Sequence, residues 1–328
     1  MYLVSYIKSI ANLTLKTYSG LKQSEKWATE YLHRVELKFD GKFDQKTLEK
    51  VVRRYSIQQH YINDSFSSLF GRNNNSNEKE RNLLYFIMVS VYDDFFDDKT
   101  LTLDQIDAIF YHPEEYIAQT FFEKVFIYTH SRLLNDVADR AQYFKDFEGL
   151  HIAQKDSLEQ FNPKVSDESL LSITTRKGGF CLLMCRHYSD TPYLPEADAT
   201  WYALGGLIQL TNDLYDIYKD IQEGIITLAV RAKQYEGIYR LYHQHAQALN
   251  DSIRKLPVKN LRKNDLSIIL NVVSAFGYIA LDNLGRLQGN NPSLPAFESL
   301  ARKELIIDME KNSNRFKLLK YIYQNARL

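Results

Sequence analysis

Cysteine is nearly missing from this sequence. Cys181 and Cys185 are the only two in 328 residues, which excludes a disulfide framework and fits a reducing compartment, the cytoplasm. The pair has no second ligand pair beside it, so a structural zinc site is not expected. Proline (7) and glycine (13) are also scarce, which disfavours an architecture of short strands and tight turns. Neither sign of charge is in excess: Lys+Arg and Asp+Glu number 41 each, so the electrostatic footprint of a nucleic-acid binder is missing. Met1–Ala11 lacks a long apolar core followed by a small-residue cleavage site, so no signal peptide is expected. No apolar run reaches about 18 residues, so no membrane span is expected either.

What the chain does contain is helical periodicity. Helices are expected over 2–18 and 23–38, separated by Ser19-Gly20, and from an Asp44 cap to about Gln59. A further helix follows over Tyr61–Phe70, then a loop from Gly71 to Asn77. Asn77 with Glu80, and Thr102 with Gln105, read as the next helix starts. Periodic segments run over 113–144 and 146–161, and Ser166 opens a helix to Ser189 that Gly178-Gly179 interrupts in character. Helices over 196–222, 226–255, 264–288 and 299–325 complete the chain. No convincing strand and no internal repeat is present, so one all-α domain over 1–328 is the expectation.

The stretch Val91-Tyr92-Asp93-Asp94-Phe95-Phe96-Asp97-Asp98-Lys99 stands out within this pattern. Four carboxylates follow directly on the apolar run Leu83–Val91, which reads as a buried helix. On a continued helix Asp93 and Asp97 lie roughly 40° apart, one turn along, as do Asp94 and Asp98. Like charges at that spacing each cost about 0.2–0.5 kcal/mol. A buried helix ending in four of them needs compensating positive charge, and hard divalent cations with oxygen ligands supply it. The plain alternative is a solvated acidic helix end. Lys99 reads as a neutralising neighbour.

A second stretch, Gln209-Leu210-Thr211-Asn212-Asp213-Leu214-Tyr215-Asp216-Ile217-Tyr218-Lys219-Asp220, changes that balance. Asn212, Asp216 and Asp220 recur every four residues, a slanted helical row spanning roughly 12 Å. With Asp93–Asp98 it makes two walls suited to several Mg²⁺ ions around a diphosphate.

The pair of motifs resembles the class I terpene synthases of the all-α isoprenoid synthase superfamily. Their DDxxD corresponds to Asp93-Asp94-Phe95-Phe96-Asp97, with Asp98 in addition. Their ND(L/I)xSxxxKE-like motif corresponds to Asn212, Asp216, Lys219 and Asp220. The likeness runs from about residue 45 onward and is specific as a pair. It implies an all-α, single-domain helical bundle with a central active-site cavity. It also implies Mg²⁺ as cofactor, three ions, with Mn²⁺ as a substitute. The substrate class is a linear prenyl diphosphate: farnesyl, geranylgeranyl or geranylfarnesyl. Asp93, Asp94, Asp97, Asp98, Asn212, Asp216 and Asp220 then become metal ligands, and Lys219 reaches the diphosphate. A homodimer is compatible with this reading.

The chain departs from the family pattern in two places. Asp216 stands where Ser or Thr is usual, and Asp220 where Glu is usual. The Arg-Tyr pair near the C-terminus of many bacterial members has only Arg315-Phe316 as a counterpart. The row Gln209–Asp220 also resembles the second DxxxD motif of squalene and phytoene synthases, with Asp94 and Asp98 as the first. A head-to-head prenyl synthase is therefore the second reading, and a non-catalytic metal-binding helical protein the third. No DxDD sequence supports protonation-initiated cyclisation.

Further candidates surround these motifs. Arg176 and Lys177, next to Gly178-Gly179, offer positive charge beside a place where bulk is missing, suited to a diphosphate. The resemblance adds a cationic diphosphate sensor and a helix break upstream of the second motif. A surface basic pair at a kink is the alternative. Phe86, Ile87, Ser90 and Phe95 on one helix, and Trp201 and Gln209 on the other, are candidates to line a cation-stabilising cavity. Ordinary core packing is the alternative for each. His243 and His245 cannot share a helix face and carry no role.

Overall fold

The computed structural model describes residues 2–328, with side chains described at 6, 7, 10 and 11 and throughout from residue 20. The chain is all-α, and there is no strand among the described residues. In order the helices are α1 (Tyr2–Phe39), α2 (Gln45–Gln58), α3 (Asp64–Ser68), α4 (Ser76–Asp97), α5 (Leu103–Tyr111), α6 (Phe121–Asp136), α7 (Arg140–Asp156), α8 (Asp167–Leu183), α9 (Pro195–Tyr215), α10 (Ile217–Glu223), α11 (Leu228–Arg231), α12 (Tyr235–Lys255), α13 (Asn260–Gln288), α14 (Arg302–Leu305) and α15 (Asn312–Asn325). They divide into two compact units. The first comprises Met1–Ile10, Lys145–Arg186 and Tyr193–Leu328; the second comprises Ala11–Phe144 and His187–Pro192.

In the first unit α9 is the centre, packing against α8, α12 and α13, while α13 also packs against α12 and α15. α13 is long and apolar enough to cross a membrane, but most of its apolar stretch is buried inside this unit. In the second unit α4 is the centre, packing against α2 and α6. Tyr85, Ile87 and Val91 of α4 are fully buried. Tyr92 of the same helix stacks on Phe126 of α6, with ring centroids 5.2 Å apart.

Several boundaries differ from those expected. Ser19-Gly20 does not end a helix, because α1 runs through it. A Cβ on Gly20 would come 2.7 Å from the His60 ring, so the glycine makes room for an imidazole that bonds Ser24 at 2.8 Å. A glycine inside a helix costs about 1 kcal/mol, which packing outweighs here. α4 begins two residues earlier than the Asn77–Glu80 pattern predicts. Asn75 is the cap and Glu78 its reciprocal partner. The choice follows from Glu78, whose side chain is fully buried and paired with Arg72 at 2.6 Å. Burial opposes its charge, but Arg72 and the backbone N–H groups of Asn75 and Asp190 hold its carboxyl down to about 2. The segment expected to be helical from 113 starts only at Phe121, where Thr120 accepts from the Glu123 N–H. Thr102 caps α5, with Gln105 completing the capping box, as expected.

Candidate functional site

The first acidic motif ends α4 in the second unit. Asp93 and Asp94 are half-buried, Asp97 is exposed in the last turn, and Asp98 is the exposed C-cap. Lys99 adopts left-handed backbone (φ 50°) and stops the helix. The positive charge that four carboxylates call for comes partly from α2. Lys50 Nζ lies 2.8 Å from Asp94 Oδ1 and 4.0 Å from Asp93 Oδ2, and Arg54 Nη1 is 3.4 Å from Asp93 Oδ2. Thr47 donates its hydroxyl to Asp94 Oδ2 at 3.2 Å. None of Lys50, Arg54 and Thr47 belongs to either sequence motif. The available signal was their spacing of three and four residues on α2, which places them on one face.

The second motif lies at the junction of α9 and α10 in the first unit, and it is not one straight helix. Asp216 sits at φ −96°, ψ 8° between the two helices. Its N–H still bonds the Asn212 carbonyl, and the Asp220 N–H bonds its carbonyl, both at 2.8 Å. The turn is therefore a hydrogen-bonded kink. Asn212 faces outward and is exposed, while Asp213 and Asp220 are buried and Asp216 is half-buried. Lys219 is exposed and pairs with Glu223 at 3.7 Å.

Asp213, which lies outside the four-residue row, is thus the buried carboxylate that the motif pattern misses. Thr174 of α8 donates to its Oδ2 at 3.0 Å, and Gln209 Nε2 to its Oδ1 at 3.1 Å. A row with a strict four-residue repeat drifts about 40° per step around a helix. Gln209, Asp213, Asp216 and Asp220 are spaced four, three and four apart, which holds closer to one face. That spacing was the signal for Asp213.

The glycine pair plays a packing role. α8 runs without a break to Leu183, so the helix break expected at Gly178-Gly179 is not there. A Cβ on Gly178 would overlap the Gly205 carbonyl oxygen, and one on Gly205 would overlap that of Gly178. The missing side chains let α8 and α9 touch backbone to backbone. A Cβ on Gly179 would come 2.7 Å from the Tyr202 ring. This close approach brings Thr174 within reach of Asp213. Of the two adjacent cations, Lys177 acts electrostatically on Asp213, whereas Arg176 bonds Asp156 at 2.7 Å.

Burial dominates the charge balance of Asp213 and Asp220 at this junction. Burial first, then its neighbour Asp216, pushes the Asp213 carboxyl up to about 6 against its bonds from Gln209 and Thr174. Burial, with Asp213 and Asp216 adding to it, pushes Asp220 up to about 8. Asp213 and Asp220, two buried carboxyls whose ionisation burial opposes, are hard oxygen donors and, with Asp216 between them, fit a divalent cation.

Of the cavity candidates, Phe86, Ile87, Ser90 and Phe95 are buried on α4, and Trp201 is buried on α9. Phe95 packs edge-on to Phe126 at 5.9 Å, within the α4–α6 aromatic core. A groove of about 230 Å³ in the second unit is lined by Asn77, Glu80, Arg81, Leu84, Arg132 and Asp136. Its charged walls do not suit a prenyl chain. His112, Glu114 and Glu115 also bring ligand atoms within 4.8 Å of one another, on an exposed turn outside both motifs. Cys181 is half-buried and Cys185 buried, and neither is in a disulfide.

No protein-family model matches the chain, and no curated protein matches it. Among solved structures it is similar to a geranyltranstransferase from Thermotoga maritima, at 14% identity and a TM-score of 0.46. That likeness covers 80% of this chain and 99% of the other. At this level the similarity says nothing about chemistry, which rests on the residues above.

Proposed function

We propose that the protein is a Mg²⁺-dependent class I terpene synthase that ionises a linear prenyl diphosphate and cyclises the resulting cation. The observation that carries this reading is the pair of buried carboxyls Asp213 and Asp220 flanking Asp216 at the α9–α10 junction, found in the same chain as the Asp93–Asp98 motif. Bound divalent cations would supply preorganised positive charge for the leaving diphosphate. Asp213, Asp216 and Asp220 hold such ions at the α9–α10 junction. Asp93 and Asp97, with Asp94 and Asp98, hold them at the end of α4. Mg²⁺ is the proposed ion, three in all, and Mn²⁺ the substitute. Lys177 and Arg176 add positive charge toward the diphosphate, Arg176 by leaving its half-buried pairing with Asp156. Lys219 does the same only by leaving Glu223. For a chain of farnesyl, geranylgeranyl or geranylfarnesyl length the proposed lining is Phe86 and Ile87, with the Ser90 hydroxyl, in the second unit and Trp201 in the first, all of them buried.

One observation favours a second reading. Asn212 is exposed while Asp216 is half-buried and Asp220 buried, so the second motif reads as DxxxD, which resembles head-to-head prenyl synthases. Incubation with C10 to C25 prenyl diphosphates and Mg²⁺, followed by gas chromatography–mass spectrometry, separates the readings. A cyclic hydrocarbon or alcohol is expected. A doubled chain, with or without NADPH, points to head-to-head condensation. No release of pyrophosphate from any substrate leaves a metal-binding helical protein.

A further inference from the structure

We propose that Lys50 is a built-in competitor for metal at the first acidic motif, a resident cation that a divalent ion must displace from Asp93 and Asp94. The inference rests on reading the α4 aspartates as metal ligands. It starts from an ammonium that is not a free surface charge. The Lys50 side chain is only 17% exposed. Its Nζ has oxygen neighbours in Asp94 at 2.8 Å, the Ser90 carbonyl at 3.3 Å and Asp93 at 4.0 Å. The Thr47 hydroxyl, one turn earlier on α2, is shared between the other oxygen of Asp94 at 3.2 Å and Asp44 at 2.8 Å. Arg54, one turn later, adds a contact to Asp93 at 3.4 Å but is 51% exposed. One face of α2 thus answers the acidic end of α4 with two cations and a hydroxyl.

A divalent ion on an Asp93 oxygen would sit within a few ångströms of the Lys50 charge. Repulsion between one and two charges at about 5 Å weakens binding about tenfold even in a water-like dielectric. The cost falls when an anion arrives with the metal, because diphosphate oxygens offer Lys50 and Arg54 new partners. Metal alone should therefore bind poorly at this motif, and metal with pyrophosphate well. That coupling keeps the carboxylates paired until the reacting group is present.

The test is Mn²⁺ binding to the full chain, followed by electron paramagnetic resonance, with and without inorganic pyrophosphate. Asp93→Asn identifies the site. Lys50→Met is expected to bind Mn²⁺ about tenfold more tightly at the Asp93-dependent site, with a smaller gain from pyrophosphate. Lys50→Arg should behave as the wild type, and Arg54→Met should shift affinity in the same direction by less. Loss of a merely structural contact does not tighten a metal site, so the sign is diagnostic. Lys50→Gln repeats the measurement should the methionine variant not fold. Unchanged or weaker Mn²⁺ binding in the folded Lys50 variants overturns the inference and leaves the metal reading standing. If Asp93→Asn alters binding in neither the wild-type nor the Lys50→Met background, the metal reading of α4 falls and the inference with it.

Discussion

The two acidic regions are alike in composition and opposite in electrostatic state. At the end of α4 the carboxylates are half-buried or exposed and meet Lys50 and Arg54 from α2. At the α9–α10 junction Asp213 and Asp220 are buried, and the pKa of each is raised by burial and by neighbouring carboxylates. The lesson is that a count of aspartates does not measure a site's demand for a cation. Burial and the nearest opposite charge do. A divalent ion is therefore expected to gain most where burial raises the carboxyls, at Asp213 and Asp220 in the first unit.

The largest effect expected from this contrast is on the helix pair that carries the junction. Gly205→Ala places a Cβ against the Gly178 backbone, which cannot yield as a flexible side chain would. We expect a loss of about 3 kcal/mol in urea unfolding. A midpoint matching the wild type would show that the backbone contact does not hold Thr174 against Asp213.

Turnover should then separate the two regions. Asp220→Ala should lower kcat on the order of 10²-fold, since a metal site contributes several kcal/mol of transition-state stabilisation. Asp94→Asn, whose charge Lys50 and Thr47 already occupy, should lose much less. Equal losses would break the contrast.

The pH dependence of stability sharpens it further. Both carboxyls have folded values above the unfolded value of 3.8, at about 6 for Asp213 and about 8 for Asp220. Between those limits the folded state binds more protons than the unfolded one. Stability without metal therefore falls as pH rises from near 4 to near 8, and levels off above that. Asp220→Asn should remove the upper part of the fall and be the more stable protein at pH 8 without metal. Mg²⁺ should raise the wild-type melting temperature more at pH 8 than at pH 6, and calorimetry at the two values checks both statements.

The smallest effect belongs to Lys219. Its pair with Glu223 is exposed and one helical turn apart, so Lys219→Ala should change stability by under about 0.5 kcal/mol. A strong loss of turnover in that variant would show that Lys219 leaves Glu223 for the diphosphate.

Much of this architecture was legible from residue pattern. Scarce glycine and proline with sustained helical periodicity point to the all-α class, and Thr102–Gln105 marks a helix start to the residue. The α4 motif was legible because a buried apolar run leads straight into it. The junction departs from its pattern in one respect, for a physical reason. A strict four-residue row assumes a straight helix, but Asp216 kinks the backbone, and Asp213 rather than Asn212 turns inward. The glycine pair suggests a break because sequence shows missing side chains, not the neighbouring helix that fills the space. Lys50 stayed invisible because a cation on one helix reveals its carboxylate partner only when the chain is folded.

The division into units also has a consequence in time. The second unit takes its last residues, His187–Pro192, from a stretch otherwise belonging to the first, and Glu78 accepts from the Asp190 N–H 112 residues further on. The first unit ties the two ends of the chain: the Tyr6 hydroxyl donates to the Leu319 carbonyl across 313 residues. At a translation rate of about 5–20 residues per second, Tyr6 waits roughly 15–60 s for that partner. The second unit has all of its residues once Pro192 has left the ribosome, well before α12, α13 and α15 have been made. Synthesis from the N-terminus therefore makes the α4 end and its partners Lys50 and Arg54 available before the α9–α10 junction.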